Sequence, residues 1–106
     1  MTTVLQSITD REFDQVVEAS LVPVLIEFWK PSCGHCRALT RELELLQREK
    51  GSTLLVLAMN VEENYQIPAE LEIVSLPALA LYRQCQFVTF IGGLGTREEI
   101  AKQIGV

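Results

Sequence analysis

The residues of this chain with the most chemistry to offer are two cysteines three positions apart, in the run Cys33-Gly-His-Cys36. Thiols at that spacing, on the first turn of a helix, can close a small disulfide ring. A helix start also presents unpaired N–H groups and the positive end of the macrodipole, and both favour a thiolate over a thiol. Lowering a thiol pKa from about 8.5 to about 7 takes the thiolate fraction at neutral pH from a few per cent to about half. The thiolate is the nucleophile, so that gain is the functional value of the position. Cys33, first in the helix, is expected to be the exposed attacker. Cys36, one turn in, is expected to be the resolving thiol that breaks a mixed disulfide. Gly34 is expected to let the backbone turn tightly and to leave room for a substrate chain. His35, the only histidine, sets an imidazole beside the thiolate; its cationic form would stabilise the reduced state and make the disulfide more oxidising.

Two plainer readings compete with redox chemistry. A Cys-x-x-Cys pair can be half of a zinc site, but the second pair is missing: only Cys85 and His35 remain, and His35 lies between the two cysteines. Two inert buried cysteines would need neither Gly34 nor a helix start. A redox pair is favoured over both. Cys85 falls in a turn between two strand-like runs and reads as an exposed turn residue away from the pair, in preference to a regulatory thiol.

The surrounding elements follow from periodicity. Residues 4–8, beginning at Val4, read as a short edge strand. Thr9-Asp-Arg-Glu12 has the spacing of a capping box, and Phe13, Val16 and Val17 give the helix behind it one apolar face. The run VPVLIEFW at 22–29 is continuously apolar and β-rich but for Glu27, as a strand covered on both faces should be. From Cys33 to about Lys50 the pattern is helical, with Cys36, Leu39, Leu43 and Leu46 on one stripe and Arg37, Arg41, Glu44 and Arg48 opposite. Gly51 closes it. Residues 53–59 repeat the buried-strand signature, and 62–75 are mixed, with one short helix expected near 68–71. Residues 77–82 and 87–91 read as a hairpin through Arg83-Gln-Cys-Gln86. Gly92-Gly93-Leu94-Gly95 breaks the second strand, and a further capping box, Thr96-Arg-Glu-Glu99, opens a last helix carrying Ile100 and Ile104. Early β-α-β units require parallel pairing and the late hairpin an antiparallel pair. The expected class is α/β: a mixed central sheet with helices on both faces.

At 106 residues the chain suffices for one domain, 1–106, and not for two. Nine Lys plus Arg against fourteen Asp plus Glu leave a net charge of −5. The basic residues are scattered, so a nucleic-acid partner is not expected. Three cysteines are too few for a disulfide scaffold. The start MTTVLQSITD lacks the basic and apolar regions of a secretory signal, and the longest uncharged apolar stretches, 21–26 and 54–59, fall far short of the ~20 residues of a membrane helix. A soluble cytoplasmic protein without a membrane partner is expected.

Taken together, Phe28-Trp29 ending a strand, Cys33-Gly-His-Cys36 four residues later, Leu76-Pro77 about forty residues on and Ile91-Gly92-Gly93 before the last helix resemble the thioredoxin family, over nearly the whole chain. The resemblance implies the thioredoxin fold, with a mixed five-stranded central sheet flanked by four helices. It implies a protein-disulfide oxidoreductase that works through a mixed disulfide and needs no cofactor or metal beyond the Cys33–Cys36 pair. It also implies a cis Leu76-Pro77 bond facing the disulfide, which leaves the Leu76 backbone free to pair with a substrate strand. Ser32, Gly34, Leu76, Pro77 and Gly92 are thereby expected to bind substrate, and Trp29 to be core at the strand end. Glu27 occupies the place of the family's buried acid. A carboxyl among Val24, Leu25, Ile26, Phe28 and Trp29 should have a raised pKa and could take the proton of Cys36; the competing reading is a glutamate at the pleat edge that reaches solvent. The catalytic set is then Cys33, Cys36, Glu27 and His35.

Four residues depart from the family pattern. Ser32 stands where a tryptophan is usual, and His35 replaces the usual proline, so that Cys-Gly-His-Cys resembles protein disulfide isomerase domains. Met59 stands where many members carry a lysine near the buried acid, and Arg41 replaces a helix-kinking proline. Potentials of about −270 mV for thioredoxin and about −180 mV for protein disulfide isomerase bracket the pair, and His35 argues for a value above the lower one. The expected partners are disulfide-containing proteins and a thioredoxin reductase-like electron donor, met by a monomer. The competing functions are an isomerase-like oxidant, which would need an oxidising compartment, and a non-catalytic binding module, which would need neither cysteine.

Overall fold

Two strands without polar alternation must be covered on both faces, and the sheet of this protein is built around them. The computed structural model describes residues 5–92 and 95–105, so Val4, Gly93 and Leu94 of the sequence reading lie outside the described residues. In chain order the elements are β1 (Gln6–Ser7), α1 (Asp10–Ala19), β2 (Val24–Trp29), α2 (Gly34–Lys50), a 3₁₀ turn (Gly51–Thr53), β3 (Leu55–Asn60), α3 (Gln66–Glu70), β4 (Ala78–Arg83), β5 (Gln86–Phe90) and α4 (Arg97–Ile104). The strands lie in the order β1-β3-β2-β4-β5. β3 runs parallel to both β1 and β2, whereas β4 is antiparallel to β2 and to β5. This is the five-stranded mixed sheet with four helices expected from the sequence.

Strand alternation sorts the core into two halves. Val24, Ile26 and Phe28 pack with Phe13 and Val17 of α1 and Ile67 of α3 on one face. Leu25 points to the other face, among Leu39, Leu43 and Leu46 of α2 and Ile100 and Ile104 of α4. The buried residues of α2 are Cys36, Leu39, Leu43 and Leu46, the stripe anticipated from spacing, and α2 runs without interruption through Arg41. At its far end Gly51 takes φ 55°, a left-handed value that favours glycine. Gln47 fastens this end to the sheet: its amide donates to the carbonyls of Gly51 and Leu54, and its oxygen accepts from the Val56 N–H at 2.7 Å.

The Thr9 capping box forms as expected. The helix in the mixed region begins at Gln66, so Pro68 lies in its first turn, where a missing N–H leaves no bond unmade. Its cap comes from far away. Asp10 accepts the Gln66 and Ile67 N–H groups at 2.8 and 2.9 Å, a pairing 56 and 57 residues apart that no local pattern encodes. The hairpin turn is tighter than anticipated: Gln84 and Cys85 alone make it, both at positive φ, the geometry of a two-residue turn matched to strand twist. The pairing slips opposite Leu81 and Tyr82, leaving Val88 as the extra residue. That bulge brings Phe87 and Phe90 to one side, ring centroids 5.0 Å apart, with Phe87 against Tyr82. Among the described residues, no helix is long and apolar enough to cross a membrane.

Leu43 is fully buried in the stripe that seats α2 on the sheet. Leu43→Ala is expected to cost about 2–5 kcal/mol. Urea unfolding would show this as a lower midpoint at unchanged slope.

Candidate redox site

Strand β2 ends at Trp29, and the chain must turn before α2 can begin. The Cys33 N–H donates to the Lys30 carbonyl at 3.0 Å, closing that turn and leaving Cys33 as the N-cap of α2. From there Cys33 Sγ accepts the Cys36 N–H at 3.2 Å, taking up one of the unpaired donors of the first turn. The two cysteines form a disulfide, with Cα atoms 5.3 Å apart. They are not equivalent. Cys36 is 1% exposed, whereas Cys33 is half-buried, so an incoming sulfur can meet only Cys33.

Gly34 differs from expectation. It is the first residue of α2 and is not among the residues with positive φ, and a Cβ there would meet open space. No tight turn requires glycine here. Ser32, Gly34 and His35 are exposed and line, with Cys33, a groove of about 520 Å³ whose other wall includes Val74, Ser75 and Leu76. The Leu76-Pro77 peptide bond is cis. Pro77 itself lines a neighbouring cavity with Phe90 and Ile91. Gly92 is exposed, and its carbonyl accepts from Gln103 Nε2 at 2.7 Å. The structure thus brings Leu76 into one groove with Cys33, while neither Pro77 nor Gly92 lines it.

Behind the disulfide, Glu27 does not reach solvent: it is fully buried, which overturns the pleat-edge reading. Its Oε1 accepts from Thr40 Oγ1 at 2.7 Å, and its Oε2 has no hydrogen-bond partner among the described residues. Burial pushes the carboxyl from 4.5 up to about 7; the Thr40 hydrogen bond opposes that rise and the nearby Glu44 adds to it. Glu27, Cys36, Trp29 and Thr40 line one cavity of about 480 Å³, with Lys30, Arg37 and Arg41 also at its walls. Trp29 is therefore half-buried lining and packs only partly into the core.

The neighbour of Glu27 on β3 also differs from expectation. The register pairs Glu27 with Ala58 and Phe28 with Met59, and Met59 packs in the opposite half of the core. A residue one step along a strand points to the other face. Ala58 stands beside the acid and offers no cation.

Sequence reasoning missed Thr40. The available signal was a threonine four residues after a functional cysteine in a helix, placed to bond back to its carbonyl; Thr40 Oγ1 is 2.7 Å from the Cys36 oxygen. Cys85 is a free, exposed thiol in the β4–β5 turn, its sulfur 3.6 Å from the Glu18 carbonyl. Among the described residues, no group of three or more His, Cys, Asp or Glu side chains is arranged to hold a metal ion.

A family model described as Thioredoxin matches residues 4–105. The chain is 34% identical over 100 residues to a thioredoxin of Listeria monocytogenes, covering 94% of this chain and 95% of that one. It is 37% identical over 88 residues to a thioredoxin of Haemophilus influenzae, covering 82% of each. A thioredoxin of Rickettsia bellii is 38% identical over 77 residues, 73% of each chain.

A carboxyl held at about 7 in the folded protein, against 4.5 normally, binds its proton more tightly when folded. The stability this contributes is complete below pH 4.5 and is lost as pH rises through about 7. At about 1.4 kcal/mol per pH unit the loss amounts to about 3 kcal/mol. Denaturant titrations of the oxidised protein between pH 4 and pH 8 are expected to show this decline, and Glu27→Gln is expected to flatten it.

Proposed function

The chain belongs to the thioredoxin family of protein-disulfide oxidoreductases, and on that premise we propose that it reduces disulfides in other proteins through Cys33 and Cys36, as a single domain spanning residues 1–106. The observation that carries this reading is the unequal burial of the pair, with an unpaired carboxyl oxygen behind the inner cysteine.

The reaction starts from the dithiol. The Cys33 thiolate attacks one sulfur of a substrate disulfide; the substrate S–S bond breaks, and the departing sulfur takes up a proton as a thiol. Cys33 is then joined to substrate in a mixed disulfide. Cys36 gives its thiol proton to the Glu27 carboxylate, and its sulfur attacks Cys33 Sγ. The bond between Cys33 and substrate breaks, and the second substrate sulfur leaves and is protonated. The substrate has gained two electrons, and the Cys33–Cys36 disulfide remains. An electron donor resembling thioredoxin reductase returns it to the dithiol. No cofactor enters these steps.

Ser32, Gly34 and Leu76 form the surface on which a substrate strand lies, with Pro77 and Gly92 at its margin. Leu76 shares the groove with Cys33, and its backbone is the one that pairs with an extended substrate segment. His35, exposed next to Cys33, favours the thiolate of the reduced form and so raises the potential. The pair is less reducing than a standard thioredoxin, between about −270 and about −180 mV. Each group used lies in one chain, so a monomer suffices, and the reducing direction suits the cytoplasm. An isomerase-like oxidant is the reading that a potential near the upper value would favour.

Insulin reduction with dithiothreitol is expected to fall to background in Cys33→Ser. Cys36→Ser should accumulate a mixed disulfide with substrate, visible by intact mass. Retention of activity in Cys33→Ser would exclude this chemistry. Glu27→Gln is expected to slow resolution of the mixed disulfide about 100-fold or more, with little effect on the attack by Cys33. Equal slowing of both steps would remove Glu27 from the proton's path. Equilibration with glutathione buffers gives the potential directly, and a value at or below about −270 mV would contradict the role of His35.

A further inference from the structure

Thr40 Oγ1 stands 2.7 Å from Glu27 Oε1 and 2.7 Å from the Cys36 carbonyl oxygen, and a hydroxyl has one proton to donate. The two acceptors differ in need. The Cys36 carbonyl lies inside α2, where the helix supplies an N–H from four residues on. Among the described residues the carboxyl has only Thr40, since Glu27 Oε2 has no partner there. When the carboxyl is charged, donation to it is the stronger bond. When it is neutral, a proton on Oε1 can be donated to Thr40 Oγ1, and the hydroxyl is released to the Cys36 carbonyl.

We propose that Thr40 is a positioning residue whose hydroxyl swings between the Glu27 carboxylate and the Cys36 carbonyl as Glu27 loses and gains its proton. The swing sets the proton affinity of a buried carboxyl without moving a heavy atom. The inference rests on the reading of Glu27 as the acceptor of the Cys36 proton. In the resolving step that proton passes to Glu27, the thiolate electron pair forms the bond to Cys33 Sγ, and the substrate sulfur leaves with the pair of the broken bond. The Thr40 proton turns and is never transferred.

Among the described residues no other side chain donates a hydrogen bond to Glu27. From α2 the cavity is lined by Cys36, Arg37, Arg41 and Glu44, and from the turn before it by Lys30. Arg37, Arg41 and Lys30 are exposed, where water screens them, and Glu44 pushes the carboxyl the other way. Leu5, just before β1, and Ser7 of β1 lie nearby, and β3 contributes Ala58. On β4 the partner is Leu79. None of these four ionises.

The test uses the oxidised protein, in which neither Cys33 nor Cys36 titrates. Carbon-13 NMR follows the Glu27 side-chain carboxyl and the Cys36 backbone carbonyl against pH in wild type, Thr40→Val and Thr40→Ser. Thr40→Val keeps the shape and removes the donor, and is expected to raise the Glu27 midpoint by about one pH unit or more; Thr40→Ser is expected to restore it. The Cys36 carbonyl resonance should follow the Glu27 midpoint in wild type and Thr40→Ser and lose that dependence in Thr40→Val. An unchanged midpoint in Thr40→Val overturns the proposal. A Cys36 carbonyl that ignores the Glu27 titration in wild type also overturns it, because the hydroxyl is then a fixed donor. The kinetic arm is separate: Glu27→Gln resolving a mixed disulfide at the wild-type rate would refute the reading of Glu27 as base, while the two resonances still decide on Thr40.

Discussion

The rotation of α2 about its own axis is the constraint on which the rest of the site depends. Leu39, Leu43 and Leu46 seat one stripe of the helix on the sheet, and that stripe fixes where every other residue of α2 points. Cys36, on the same stripe, is carried inside. Cys33 precedes the first turn and is left at the surface. Thr40, one turn beyond Cys36, arrives over Glu27. A helix turned by one residue, about 100°, would expose the inner thiol and remove the donor to the acid together. The chemistry of the pair is in that sense set by hydrophobic packing, with the helix dipole acting on whichever sulfur the packing leaves outside.

Much of this was legible in the sequence because it is local or periodic. The apolar runs of β2 and β3, the stripe of α2, the Thr9 capping box and Gly51 are each written in adjacent residues, and the order of elements then restricts the topology to parallel crossovers and a terminal hairpin. Where a property depends on registers between distant segments, the sequence was less informative. Placing Met59 beside Glu27 was an error of one residue, which in a strand is an error of one face; the register puts Ala58 there. The cap of α3 by Asp10 and the hydrogen bond of Thr40 to Glu27 join residues 13 or more positions apart, and only the folded chain brings them together. Gly34 errs in another way. Its residue type suggested a backbone need, whereas the helix accepts it without a positive φ and a Cβ there would meet open space.

The acid illustrates how composition and fold combine. A carboxyl on a central strand, with an alanine opposite and one hydroxyl for company, loses its hydration and gains little in return. Its neutral form is therefore favoured up to about pH 7, which leaves it poised between donor and acceptor near neutrality. Lys30, Arg37 and Arg41 line the same cavity but stand in water. The charge balance of the site is thus decided by desolvation, with ion pairing contributing little.

Gln47 has one more consequence. By tying the end of α2 to the 3₁₀ turn and to β3 through three hydrogen bonds, it clamps the helix at the end opposite the cysteines. The helix is thus pinned at both tips, by sulfur at the leading one and by an amide at the trailing one, with its apolar stripe seated between them.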